Sequence, residues 1–99
     1  MAVTIDDLIQ FMQENFENCI QLAIGRGDQY ATQEDTLKTF RSGAKRLNVT
    51  PSYFCLTLIV VKMERFMMNV NNNVDYTDSM LDLIIYLNFY DILKKEETK

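Results

Sequence analysis

PSYFCLTLIVVKMERFMMNV, Pro51 to Val70, is the densest apolar run in a chain of 99 residues, and its reading decides the fold. Thr50 is placed to cap free amides, Pro51 suits the first helical position where no amide donor is needed, and twenty residues exceed an ordinary strand. Tyr53 to Val61 alone is rich in aromatic and β-branched residues and would pass for a buried strand. Lys62, Met63, Glu64 and Arg65, however, continue it in helix-favouring composition, so the segment reads as one helix. At about 100° per residue, Leu56, Ile59, Val60, Met63, Phe66 and Met67 form one broad face, and Leu58, Lys62, Arg65 and Asn69 form another. In so short a chain, a helix apolar over most of its circumference requires three packing neighbours or a second subunit.

Working outward, helices over about 5–24, 33–47 and 78–94 join this one over 51–70 in a single all-helical domain spanning 1–99. Thr4 with Asp7 forms a capping box, after which Ile5, Leu8, Ile9, Met12, Phe16, Cys19, Ile20 and Ala23 repeat at helical spacing until Gly25. Thr32 with Asp35 signals a second helix, whose apolar stripe is Leu37, Phe40, Ala44 and Leu47 and whose outer face carries Lys38, Arg41, Lys45 and Arg46. That basic face reads first as solvated surface and second as a phosphate contact. Asn69 to Asp75 is turn-rich and reads as a loop, with Thr77, or failing that Asp75, capping the last helix. Glu96 to Lys99 is expected to fray.

Composition narrows the function classes. Ten Lys and Arg against fourteen Asp and Glu give net charge -4, which argues against non-specific nucleic-acid or anionic-membrane binding. The absence of histidine excludes imidazole acid/base chemistry, His triads and His-ligated metals. Cys19 and Cys55 fall on apolar helix faces and read as buried free thiols of a reducing compartment. Asp6 and Asp7 stand where a secretory signal would be basic, and no apolar run reaches membrane-spanning length, so a cytoplasmic location is expected. The Arg26-Gly27-Asp28 triplet would suggest an adhesion ligand only in an exported protein.

Two carboxylates, Asp78 and Asp82, share a stripe of the last helix with Ile85, Phe89 and Ile92, which predicts partial burial. Buried carboxylates need cations, a metal or several donors, and the core-proximal cations are Lys62 and Arg65. The four are expected to form one cluster. It would serve either as an ion-pair network between two helices or as a site in which the aspartates hold Mg²⁺ and the cations hold phosphate oxygens. Glu14 and Glu17 form an E-x-x-E pair, but periodicity turns both away from the apolar stripe and toward solvent.

Arg26-x-x-x-Tyr30, Lys62-x-x-Arg65 and Asp78-x-x-x-Asp82-x-x-x-Tyr86 resemble the motifs of small phage-encoded nucleotide-modification-associated domains, which are themselves similar to the all-α MazG-like pyrophosphohydrolases. The resemblance covers roughly residues 25–93. It implies a four-helix MazG-like bundle completed by oligomerisation, and a nucleotide-related role in which Arg26, Tyr30, Lys62 and Arg65 contact phosphate and Asp78 and Asp82 hold Mg²⁺. Ser79 stands where those enzymes carry a metal-binding Glu. The expectation is therefore a non-catalytic nucleotide-binding protein that sequesters a nucleotide signal or inhibits a host defence protein. The alternatives are a Mg²⁺-dependent nucleoside polyphosphate pyrophosphohydrolase and a protein-interaction module.

Overall fold

A computed structural model describes residues 1–26 and 35–99. Four helices, α1 Ile5–Gly25, α2 Lys38–Leu47, α3 Pro51–Asn71 and α4 Thr77–Glu97, make up the fold, with no strand among the described residues. α3 and α4 form an antiparallel hairpin, α2 packs on α3, and, among the described helices, α1 packs on α4 alone.

Local chemistry explains most boundaries. Asp7 N donates to Thr4 Oγ1 and Thr4 N donates to Asp7 Oδ2, both at 3.1 Å, which completes the expected capping box. Gly25 ends α1 without adopting a positive φ. At α3, Tyr53 N donates to Thr50 Oγ1 at 3.2 Å and Pro51 takes the first turn. α2 ends at Asn48, whose φ of 57° is left-handed, while Val49 N donates back to Ala44 O at 3.0 Å.

Four boundaries differ from expectation. Thr32 lies outside the described residues, and Asp35 to Leu37 form a turn, so α2 begins at Lys38. The cause is local: Asp35 Oδ1 accepts from Leu37 N at 3.0 Å, giving the backbone an alternative to the helix. The presumed loop from Asn69 stays helical to Asn71, because Asn69 Nδ2 donates to Ser79 Oγ at 2.6 Å across the hairpin. Thr77 is the first helical residue of α4 and not its cap. Tyr76 occupies that position without a side-chain bond, and Asp75 Oδ1 accepts from Thr77 N at 2.9 Å. The tail does not fray at Glu96, since Arg41 Nη2 holds Glu96 at 3.0 Å and α4 continues to Glu97.

The core gathers Leu37 and Phe40, Cys55 and Ile59, Leu81, Ile85, Phe89 and Leu93, with Cys19 as the buried contribution of α1. Phe40, Tyr86 and Phe89 contact one another with ring centroids 5.1 to 5.9 Å apart, in tilted and edge-on geometries that suit the ring quadrupoles. Gly43 lets α2 approach α3, because a Cβ there would lie 2.6 Å from Phe54 Cε1. Cys19 and Cys55 are free and buried as expected, each donating its thiol to a carbonyl of α4 at 3.6 Å, Leu81 and Tyr86 respectively.

The two faces of α3 are divided differently from the helical-wheel expectation. Ser52, Cys55, Ile59, Lys62, Phe66 and Asn69 form the inward seam, so Ile59 and Phe66 side with Lys62. Leu56, Val60, Met63 and Met67 face solvent. Among the described residues, no helix is long and apolar enough to cross a membrane.

Candidate functional site

Asp82, one turn into α4, is 9% exposed and is the only charged residue among the buried described residues. Its position follows from periodicity, since it precedes Tyr86 and Phe89 on the face that α4 turns inward. Burial of a carboxylate requires compensation, and both oxygens receive it. Oδ2 accepts from Lys62 Nζ of α3 at 3.3 Å, and Oδ1 accepts from Nη1 of Arg26, the residue that closes α1. One carboxylate thereby joins the end of α1 to the α3–α4 hairpin.

Lys62 Nζ also lies 4.9 Å from the centroid of the Tyr86 ring, within cation–π range. Burial raises the Tyr86 phenol above its ordinary value, and the Asp82 charge and Cys55 reinforce this, while Arg26 and Arg65 oppose it. The phenol is accordingly a neutral hydroxyl donor at neutral pH. Burial also pushes the Cys55 thiol up to about 11, and burial followed by the Asp82 charge raises Cys19. Neither thiol is an activated nucleophile.

The expected quartet is half assembled. Lys62 meets Asp82, whereas Asp78 is exposed one turn earlier and Arg65 is exposed one turn later, and neither makes an ion pair among the described residues. Ser79 is engaged by Asn69. Glu14 and Glu17 remain on the outer face of α1, where Glu17 accepts from Gln21 at 3.0 Å. Among the described residues, no three acidic or cysteine side chains converge to share a metal ion. Asp82 has both oxygens committed to cations, so this carboxylate set does not fit an Mg²⁺ site. Tyr30 lies outside the described residues. Of the basic face on α2, Arg41 is taken up by Asp35 at 2.6 Å and by Glu96, leaving Lys38, Lys45 and Arg46 as solvated charges.

One contact escaped sequence reasoning and one residue was legible in it. The Arg26–Asp82 pair spans 56 positions, and no spacing in the sequence puts those residues together. Tyr86 was readable from its i, i+4 relation to Asp82, which places the ring over the cation that Asp82 binds. No family model matches the chain, and neither curated proteins nor solved structures give a match.

Proposed function

We propose that this chain is a non-catalytic binder of nucleotide phosphates, of the kind that sequesters a nucleotide signal or blocks a host defence protein. The observation that supports the reading is the set of cations around Asp82. Arg26 and Lys62 are held by a carboxylate whose charge they already compensate, and Arg65 stands beside them, exposed, with no carboxylate of its own among the described residues. A guanidinium fork, an ammonium and the Tyr86 hydroxyl form a donor set suited to phosphate oxygens. The engaged state of Asp82 and the exposure of Asp78 favour binding over Mg²⁺-assisted hydrolysis. The resemblance in Arg26-x-x-x-Tyr30, Lys62-x-x-Arg65 and Asp82-x-x-x-Tyr86 is what makes the phosphate that of a nucleotide.

Thermal denaturation with ATP and with inorganic triphosphate tests this, first in EDTA and then with Mg²⁺. The expected result is a melting point raised equally in both conditions, without release of phosphate or pyrophosphate. Saturation at 100 times Kd corresponds to about 2.7 kcal/mol. Arg65→Ala is expected to abolish the shift while retaining the fold. Mg²⁺-dependent turnover by the wild type that disappears in Asp82→Asn would replace this reading with a pyrophosphohydrolase. No shift across a broad nucleotide panel would replace it with a protein-interaction module.

A further inference from the structure

α1 meets the hairpin through its last two turns. Cys19 is its buried residue, Leu22 and Ala23 pack partly buried against the core, and the ion pair of Arg26 with Asp82 closes the contact. Ahead of these, Ile5, Ile9, Met12 and Phe16 are exposed, so a 21-residue helix is seated by its C-terminal end. Arg26 therefore belongs to two structures at once, the seat of α1 and the wall of the cation cluster. Lys62 and Asp82 keep their places whatever α1 does, because α3 and α4 pack on each other directly.

Charge decides what a bound anion does to that seat. Arg26 and Lys62 share the Asp82 carboxylate, and Arg26 and Arg65 both act on the Tyr86 phenol, so the cluster carries three cations against one buried anion. The surplus attracts an anion. Asp82 is 9% exposed, and an oxygen stripped of Arg26 would stay buried with its charge uncompensated, so an incoming anion shares Arg26 with Asp82 instead of removing it. A guanidinium carries five N–H donors in a fixed fork, and the Arg26 side chain is 27% exposed while paired, which leaves an anion a side from which to approach it.

We infer that an anion bound in the cation cluster locks α1 onto the hairpin, with Arg26 bridging Asp82 and the ligand; this rests on the phosphate-binding reading and adds a regulation of that same site. Seated, α1 supplies Arg26 to the ligand. Lifted, it carries Arg26 away and leaves Lys62 and Arg65 to hold the anion. The ligand thus binds the seated state more tightly, and linkage makes the preference reciprocal: a change that loosens the seat weakens the ligand, because each biases the same equilibrium. Couplings of this kind are commonly on the order of 10-fold to 100-fold. The exposed residues Ile5, Ile9, Met12 and Phe16 ride on the same arm, so the ligand also governs how firmly that stripe is held against the rest of the chain.

Calorimetric titration with inorganic triphosphate in EDTA, paired with amide exchange at saturation, is the test. Exchange along Cys19 to Gly25 is expected to slow about 10-fold or more, since opening of α1 then costs the ligand a cation. The Cys19 thiol should react with an external disulfide more slowly by the same factor. Leu22→Ala, which trims the seat without removing a charge, is expected to raise the triphosphate Kd about 5-fold, and Ile9→Ala, on the exposed stripe, to leave it unchanged. In an Arg26→Ala background Leu22→Ala should change the Kd no further, a non-additivity that simple loosening of the fold does not produce. Binding with unchanged or faster exchange along Cys19 to Gly25 overturns the inference and leaves the phosphate reading standing. Full slowing in an Arg26→Ala variant that still binds also overturns it. Absence of binding by triphosphate and by nucleotides removes both. Should Arg26→Ala bind too weakly for titration, wild-type exchange and the Kd of Leu22→Ala decide.

Discussion

α1 and the α3–α4 hairpin are helices of equal length, 21 residues each, yet they are held in opposite ways. α1 has the strongest local signal in the chain, a complete capping box, and the weakest tertiary attachment. Its inward contacts run through Cys19, Leu22, Ala23 and Arg26, while Ile5, Leu8, Ile9, Met12 and Phe16 stay exposed. α4 has no side-chain cap at all, yet it is pinned along its length, from Ser79 on Asn69 through Asp82 on Lys62 to Glu96 on Arg41. A helix can therefore be specified locally without being anchored, or anchored without being specified locally, and mutations should separate the two.

The largest effect is expected at Asp82, where the two regions meet. Asp82→Ala leaves Lys62 partly buried without its carboxylate and removes the link to Arg26, a loss on the order of 3–5 kcal/mol in chemical denaturation. If α1 is held as described, amide exchange should accelerate along Cys19 to Gly25 more than along Ile59 to Phe66. Equal acceleration would erase the distinction. Next comes the core: Leu93→Ala, at a site 1% exposed, is expected to cost about 2–5 kcal/mol, against less than about 0.5 kcal/mol for Ile9→Ala on the open stripe of the monomer. The caps give a smaller and sharper contrast. Thr50→Ala should lower global stability by about 1 kcal/mol, because it uncaps a helix the hairpin depends on, whereas Thr4→Ala should raise amide exchange in the first turn of α1 alone.

Acid gives the mildest contrast. The Asp7 carboxyl titrates below its ordinary value of 3.8, because the backbone amide and then the hydroxyl of Thr4 hydrogen-bond its ionised form. A depressed carboxyl contributes stability above its unfolded pKa and loses it as pH falls through the lower folded value. The first turn of α1 should therefore fray below pH 3.8, as backbone chemical shifts would record. Asp75 behaves alike through Thr77, so the start of α4 should loosen in the same range while the hairpin's apolar seam persists.

Four helices were legible from the sequence because each has either a cap or a period that needs no tertiary information: Thr4 with Asp7, the stripe of Leu37, Phe40 and Ala44, Thr50 with Pro51, and the apolar stripe of α4. The ends that resisted reading were those fixed by distant partners. Asn69 looks like a loop residue until Ser79 holds it, and Glu96 looks frayed until Arg41 does. The site divides on the same line. Lys62 with Asp82 could be inferred from two helical faces in a hairpin, but Asp78 was placed with Asp82 by periodicity alone. At the start of α4 that stripe has already run past its cover, so Asp78 is solvated. Arg65 departs for a related reason, being turned away from the inward seam that Lys62 joins.

The two buried thiols make each region its own clock. Cys19 closes the contact of α1 on Leu81, and Cys55 closes the hairpin on Tyr86, so each reacts with an external disulfide only when its own contact opens. With its thiol pushed up to about 11 by burial, Cys55 holds roughly one thiolate in a thousand at pH 8. A single sample without any substitution would thus show two modification phases, a fast one timed by the lifting of α1 and a slow one timed by the parting of α3 from α4.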